Sequence, residues 1–346
     1  MKIIQSAAIA MLLIGLAILL YFLNKAGVDG YVISNKIATN YTVSGQFGDF
    51  VGGVVGTFFA LSGTLLIFLN FREQTKENKR SGFESSFFEM MRLYRENVSE
   101  MKYRKPTPTG TLTYENRQVL REITKEFIEC YRDVKKFSDS ENLDTYFNPP
   151  YAKKLKKIAT KINPEINLIE MAIIDLAFMI VFYGVNWEGD TIIKDNVSRK
   201  YKKNYYPRLL HYIQLKPKNP NTPIFEDWST LRSLHSVEFH KLINDLYISK
   251  NDPKNIRTPY ALAKKFTLDT NYERYYDGHQ FRLGHYFRHL HQSYKYLNNH
   301  PDLTEKEKYE YGKLYRAQLS TDEQILLFVN SISSLGMNWE LTFKNI

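Results

Sequence analysis

Two stretches of this chain run uncharged for the length of a membrane crossing. Residues 3–23 hold only Gln5 and Ser6 as clearly polar side chains, and residues 50–69 hold no charge at all. Each matches the ~20 apolar residues that an α-helix needs to cross a hydrocarbon core. The first run is longer than the apolar core of a cleavable signal peptide, and no small-residue cleavage site follows it. The expectation is therefore two transmembrane helices, at about 3–23 and 48–70, and a membrane anchor over 1–71 followed by a domain over 72–346.

Flanking charge orients the pair. The connection at 24–46 has only Lys25 and Lys36, whereas Arg72, Lys76, Lys79 and Arg80 follow the second run. Positively charged flanks stay in the cytoplasm, so the domain is expected there. Gly48, Gly52, Gly56, Ala60 and Thr64 recur every four residues. Small residues in that register let a second helix approach closely, either the first helix of the same chain or a second copy. A homo-oligomer is the expected assembly.

The remainder reads as soluble. Mean hydropathy over the whole chain is negative, and Tyr and Phe, at 25 and 22 residues, supply large areas for a core. Of the net +10, residues 1–71 contribute +1 and the rest +9, which suits a cytoplasmic surface near a membrane or a nucleic-acid partner. The lone Cys130 excludes an internal disulfide and any CxxC metal site, and its helical surroundings make it a packed thiol.

Helical periodicity places helices at 81–103, 116–137 and 151–162 and a nearly all-apolar one at 165–185. Further helices fall at about 199–214, 226–249, 258–267, 279–297 and 304–318. The segments 102–113, 186–198 and 217–223 read as loops. Asn163 and Pro164 read as the start of a helix. Glu165, Glu170 and Asp175 interrupt the apolar run at 165–185. Charges there are costly in lipid, so the expectation is a buried central helix rather than a third span. The fold class is mainly α: two transmembrane helices and an all-helical soluble domain.

Chemistry concentrates in 279–297, HQFRLGHYFRHLHQSYKYL. On a helix, Leu283, Phe287, Leu290, Tyr294 and Leu297 form a core face. Arg282, His285, His289, Gln292 and Tyr296 form a second stripe about 130° away. Arg288, His291 and Lys295 lie on a third face. Arginine holds phosphate and histidine is a general acid or base, so Arg282, His285, Arg288 and His289 are the candidate catalytic residues. His285 and His289 also have metal-ligand spacing, but Tyr286 stands where HExxH has its glutamate, and the neighbouring Arg288 is a poor companion for a cation; no metal and no cofactor are expected. A polar groove or interface is the non-catalytic use of the same stripe. Ser320 and Glu323 form a capping box.

FGDFVGGVVG before the second apolar run, then Gln74 and FESSFFEMM, together with HYFRHLHQSYKY and YRAQLSTDEQILLFVN, resemble the phage abortive infection proteins of the AbiC type. The similarity spans about Gly45 to Asn330, with wide gaps between the blocks. It implies bacterial antiphage defence by arrest or death of the infected cell, and with the two apolar runs a place in the bacterial inner membrane, with a phage-encoded trigger that the residues do not identify. A more distant resemblance is to HEPN-type ribonucleases, whose motif is an arginine, four to six residues and a histidine. Arg282 and His289 fit it, while Leu283 departs from the polar residue usual after the arginine. That resemblance implies metal-independent RNA cleavage across a dimer. The expected function is a membrane-anchored antiphage effector acting on RNA. The alternative is a non-enzymatic protein that disrupts the membrane or binds a phage component.

Overall fold

A computed structural model of the chain describes residues 2–31, 38, 40–162, 165–252, 266 and 272–337. Contacts divide it into two units, Met1–Ser86 and Phe87–Ile346. The architecture is mainly α.

In the first unit, α1 (Lys2–Val28) pairs with a helical stretch made of α2 (Tyr41–Phe50), a π-helical turn (Val51–Val55) and the first part of α3 (Gly56–Ser99). Asn40 starts α2 by accepting a bond from the Val43 amide at 3.2 Å. Both helices are long and apolar enough to cross a membrane, and their outer faces expose Leu13, Ile14, Leu20, Ile67 and Phe68. An all-round apolar surface suits lipid rather than water and suggests membrane association.

The two helices meet through a face other than the four-residue glycine ladder. Ser62 Oγ donates to the Ala8 carbonyl at 2.8 Å. A Cβ on Gly15 would stand 3.0 Å from Phe58 Cβ, so its absence permits the approach. Phe22 stacks on Phe50 at 4.1 Å. Nothing lies within 4 Å of where Gly48 or Gly52 would carry a Cβ. The π turn over VGGVV adds a residue to one turn. It thereby shifts the phase, so Gly48 does not stay in line with Ala60 and Thr64.

The second unit, after the end of α3, departs from the all-helical expectation. Residues 102–113, read from sequence as a loop, form most of an antiparallel hairpin, β1 (Lys102–Thr107) and β2 (Gly110–Glu115), in register from Lys102↔Glu115 to Thr107↔Gly110. The alternation in TLTY and the Tyr103–Tyr114 cross-strand pair drive it, and Pro106 is tolerated because both strands are edges.

The core lies between α4 (Arg117–Phe137) and α6 (Leu168–Tyr183). Val119, Leu120, Ile123, Cys130 and Val134 of α4 are fully buried, as are Leu176 to Ile180 of α6. The charges of α6 are satisfied within the protein. Asp175 accepts from Tyr201 Oη at 2.8 Å and the Ser334 amide at 2.7 Å, and Glu170 accepts from Tyr131 Oη. This is a buried helix, as its carboxylates require.

Around it stand α5 (Pro149–Ile162), α7 (Trp187–Val197), α8 (Tyr206–Gln214), α9 (Pro223–Ser233), α10 (Ser236–Asn251), α11 (Gln280–Asn298), α12 (Glu305–Arg316) and α13 (Thr321–Ile332). Helix α7 occupies the segment expected to be a loop. The Gly189 amide donates to the Asn186 side chain at 2.8 Å, which caps the helix. The expected helix at 199–214 begins only at Tyr206. That at 226–249 is two helices: Leu234 leaves helical geometry, with ψ 150°, and its carbonyl accepts from Lys136 Nζ at 3.0 Å. The helix expected at 258–267 falls largely, and the start at Asn163–Pro164 wholly, outside the described residues.

The Ser320–Glu323 capping box is present. Glu323 is fully buried and also accepts from Tyr94 Oη near the end of α3. One side chain thus caps α13 and ties it to another helix.

Candidate functional site

Two backbone segments cross where α6 ends. Gly184 takes φ +79° and Gly278 φ +91°, conformations that side-chain-bearing residues rarely adopt. A Cβ on Gly184 would stand 2.6 Å from the Asp277 carbonyl carbon, and one on Gly278 would stand 2.5 Å from the Tyr183 oxygen. The crossing is sealed by the Val185 amide donating to the Tyr276 carbonyl at 2.8 Å and the His279 amide to the Phe182 carbonyl at 2.9 Å. The His279 amide thus satisfies a C-terminal carbonyl of α6 and launches α11 from the same point.

A cleft of about 530 Å³ opens beside this crossing. Its walls come from the end of α6 (Phe182), the start of α7 (Glu188) and the first turns of α11 (Phe281, Arg282, His285, Arg288). Three of the four candidate catalytic residues therefore line one cavity. Arg282 is held at its root: Nε donates to the Lys102 carbonyl at 2.9 Å, Nη1 lies 3.1 Å from His279 Nδ1, and the guanidinium stacks over Phe281 at 4.0 Å. Burial pulls its pKa below the usual arginine value. His285 and Arg288 are exposed, and Arg288 Nη2 approaches His285 Nδ1 at 3.4 Å. That contact is long enough for either group to turn to a ligand.

His289 is not among the cleft's lining residues. Its Nε2 lies 2.8 Å from the Met90 carbonyl, a bond from α11 to α3. Periodicity put His289 in line with Arg282 and His285. A carbonyl on the neighbouring helix engages its ring. The core face read from sequence is as expected: Leu283, Phe287, Leu290, Tyr294 and Leu297 are all buried.

The sequence reading missed a charged network behind the cleft. Glu122, Glu126, Glu129 and Asp133 follow one another along one face of α4 at helical spacing, a pattern that could have revealed it. Glu126 accepts from Tyr103 Oη at 2.7 Å and lies 3.0 Å from Lys105 Nζ and 2.8 Å from His279 Nε2. Burial pushes its carboxyl up. The His279 bond and charge, with Lys105 and Tyr103, outweigh burial and bring it down to about 2. Asp133 lies 2.7 Å from Arg232 Nε and 3.5 Å from Lys216 Nζ, and Lys216 sits over the Tyr275 ring at 3.8 Å. Arg282 thus leans on a buried His–Glu pair, which fixes the wall of the cleft. Among the described residues no group of three or more His, Cys, Asp or Glu is arranged to hold a metal ion.

No curated protein and no solved structure matches this chain. One sequence family does. The matching segment begins at the Gly278 crossing and takes in the α11 wall of the cleft: residues 278–345 match the model of the family described as putative phage abortive infection protein.

Proposed function

We propose that this protein is a membrane-anchored antiphage effector whose cleft at the start of α11 binds and cleaves RNA. The observation that carries the reading is the convergence of Arg282, His285 and Arg288 on one cavity, inside the segment that matches an abortive infection family. In this reading α1 and the α2–α3 stretch span the bacterial inner membrane. The basic run Arg72, Lys76, Lys79 and Arg80 keeps the second unit in the cytoplasm. The open Gly48 and Gly52 positions are where a second copy would pack.

Arg282 and Arg288 hold the phosphate and offset charge on the phosphorane. His285 takes the proton of the ribose 2′-hydroxyl. The 2′-oxygen attacks phosphorus, the bond to the 5′-oxygen breaks, and solvent protonates the departing oxygen. The products are a 2′,3′-cyclic phosphate and a 5′-hydroxyl, and no metal or cofactor enters. His289, bonded to Met90, supports α11 rather than the chemistry.

Total RNA integrity and membrane potential, recorded together during phage challenge, test this in cells with wild type or His285→Ala. Fragmented RNA with intact potential, abolished in the variant, is the expected result. Intact RNA with collapsed potential in both would move the activity to the membrane helices, where the π turn at Val51–Val55 is the unusual feature.

A further inference from the structure

We infer that the cleft takes single-stranded RNA, with unpaired bases stacked on Phe281 and Trp187 while Arg282 and Arg288 hold the phosphates between them. The inference rests on the RNA reading above and adds the form of the substrate and the residues that select it. Phe281 lines the cleft and is 66% exposed. One face of its ring is already covered by the Arg282 guanidinium at 4.0 Å, so a base on the other face would extend an existing stack. Trp187, 88% exposed, is not itself a lining residue but opens α7 between Asn186 and Glu188, both of which line the cleft.

Phe281 and Trp187 are large apolar side chains left in water, and Phe281 stands beside a cation. Stacking platforms next to phosphate-binding arginines are what a single strand uses. A duplex hides its bases and offers no face to stack. Arg282 is already oriented by Lys102 and His279, so little ordering is left for binding. The acidic groups at the cleft do not cancel this charge: Asp277 is paired with Lys218 at 3.0 Å, which leaves Glu188.

The full chain in neutral-lipid nanodiscs can be titrated against a fluorescein-labelled 2′-O-methyl oligouridylate of about a dozen nucleotides, which cannot be cleaved through its 2′-oxygen. Anisotropy should rise with the single strand and not with the same strand annealed to its complement. Trp187→Ala and Phe281→Ala should each weaken binding about tenfold with the salt dependence unchanged. Arg288→Ala should flatten the salt slope by ~0.7. Unchanged affinity in both aromatic variants, or equal binding of the duplex, would overturn the inference and leave the RNA reading standing. No binding of either strand form would overturn both. Displacement of the strand by phosphatidylserine vesicles, lost in Trp187→Ala, would assign the aromatics to a lipid surface instead.

Discussion

His279 Nε2 lies 2.8 Å from a Glu126 carboxylate oxygen, and both side chains are 2% exposed. A pair this buried is expensive to break, because the surviving partner is left unpaired away from water. Glu126→Gln should therefore destabilise the second unit by about 3–5 kcal/mol, read as loss of thermal stability of the purified full chain. A change below ~1 kcal/mol would show that the pair contributes little.

The same pair sets a pH dependence. The Glu126 carboxyl falls from 4.5 to about 2 on folding, so the folded state prefers it ionised. Its contribution is complete above pH 4.5 and is lost as pH falls toward 2. The gap in melting temperature between wild type and Glu126→Gln should hold steady at neutral pH and close on acidification. A gap independent of pH would contradict the assignment.

The two glycine classes predict opposite signs. Gly184→Ala must place a Cβ 2.6 Å from backbone at positive φ, which should cost more than ~2 kcal/mol and disturb the cleft. Gly82, within α3, has nothing within 4 Å of its Cβ position. Gly82→Ala should stabilise the helix by ~0.5–1 kcal/mol. Circular dichroism melts of the two variants separate the cases.

The two histidines of the stripe should also part. His289→Ala removes the bond to Met90 and should cost ~0.5–1.5 kcal/mol, with defence falling only as far as folding does. His285→Ala, at an exposed position, should leave the melting temperature unchanged and abolish defence. Equal loss of defence at equal stability in both variants would return His289 to the chemistry.

In the first unit, Ala8 and Ser62 face each other, so an Ala8→Cys/Ser62→Cys chain should cross-link within itself on mild oxidation in membranes. Ala8→Cys/Gly52→Cys should not. Gel mobility under non-reducing conditions decides between them.

The sequence by itself determined the two apolar helices, the buried faces of α4 and α11, the central burial of α6 and the capping box at Ser320. The faces of α4 and α11 and the capping box follow from neighbours three or four residues apart on one helix, and the rest from uncharged length and from carboxylates within an apolar run, all of which are written in the chain. It could not place the π turn at Val51–Val55, which breaks the period the glycine ladder relied on, nor α7, whose start depends on a single Asn186 bond.

The site divides in the same way. A helical stripe says which residues share a face, and it correctly grouped Arg282 with His285. It does not say what that face meets. Only the tertiary structure put the Met90 carbonyl against His289, brought Arg288 round to the cleft from a neighbouring face, and set Glu126 behind Arg282. Those partners come from segments up to about two hundred residues away in the chain, and no local spacing encodes them. The crossing of Gly184 with Gly278, two backbones too close for a Cβ between them, is what joins the end of α6 to the start of α11 and so makes the cleft.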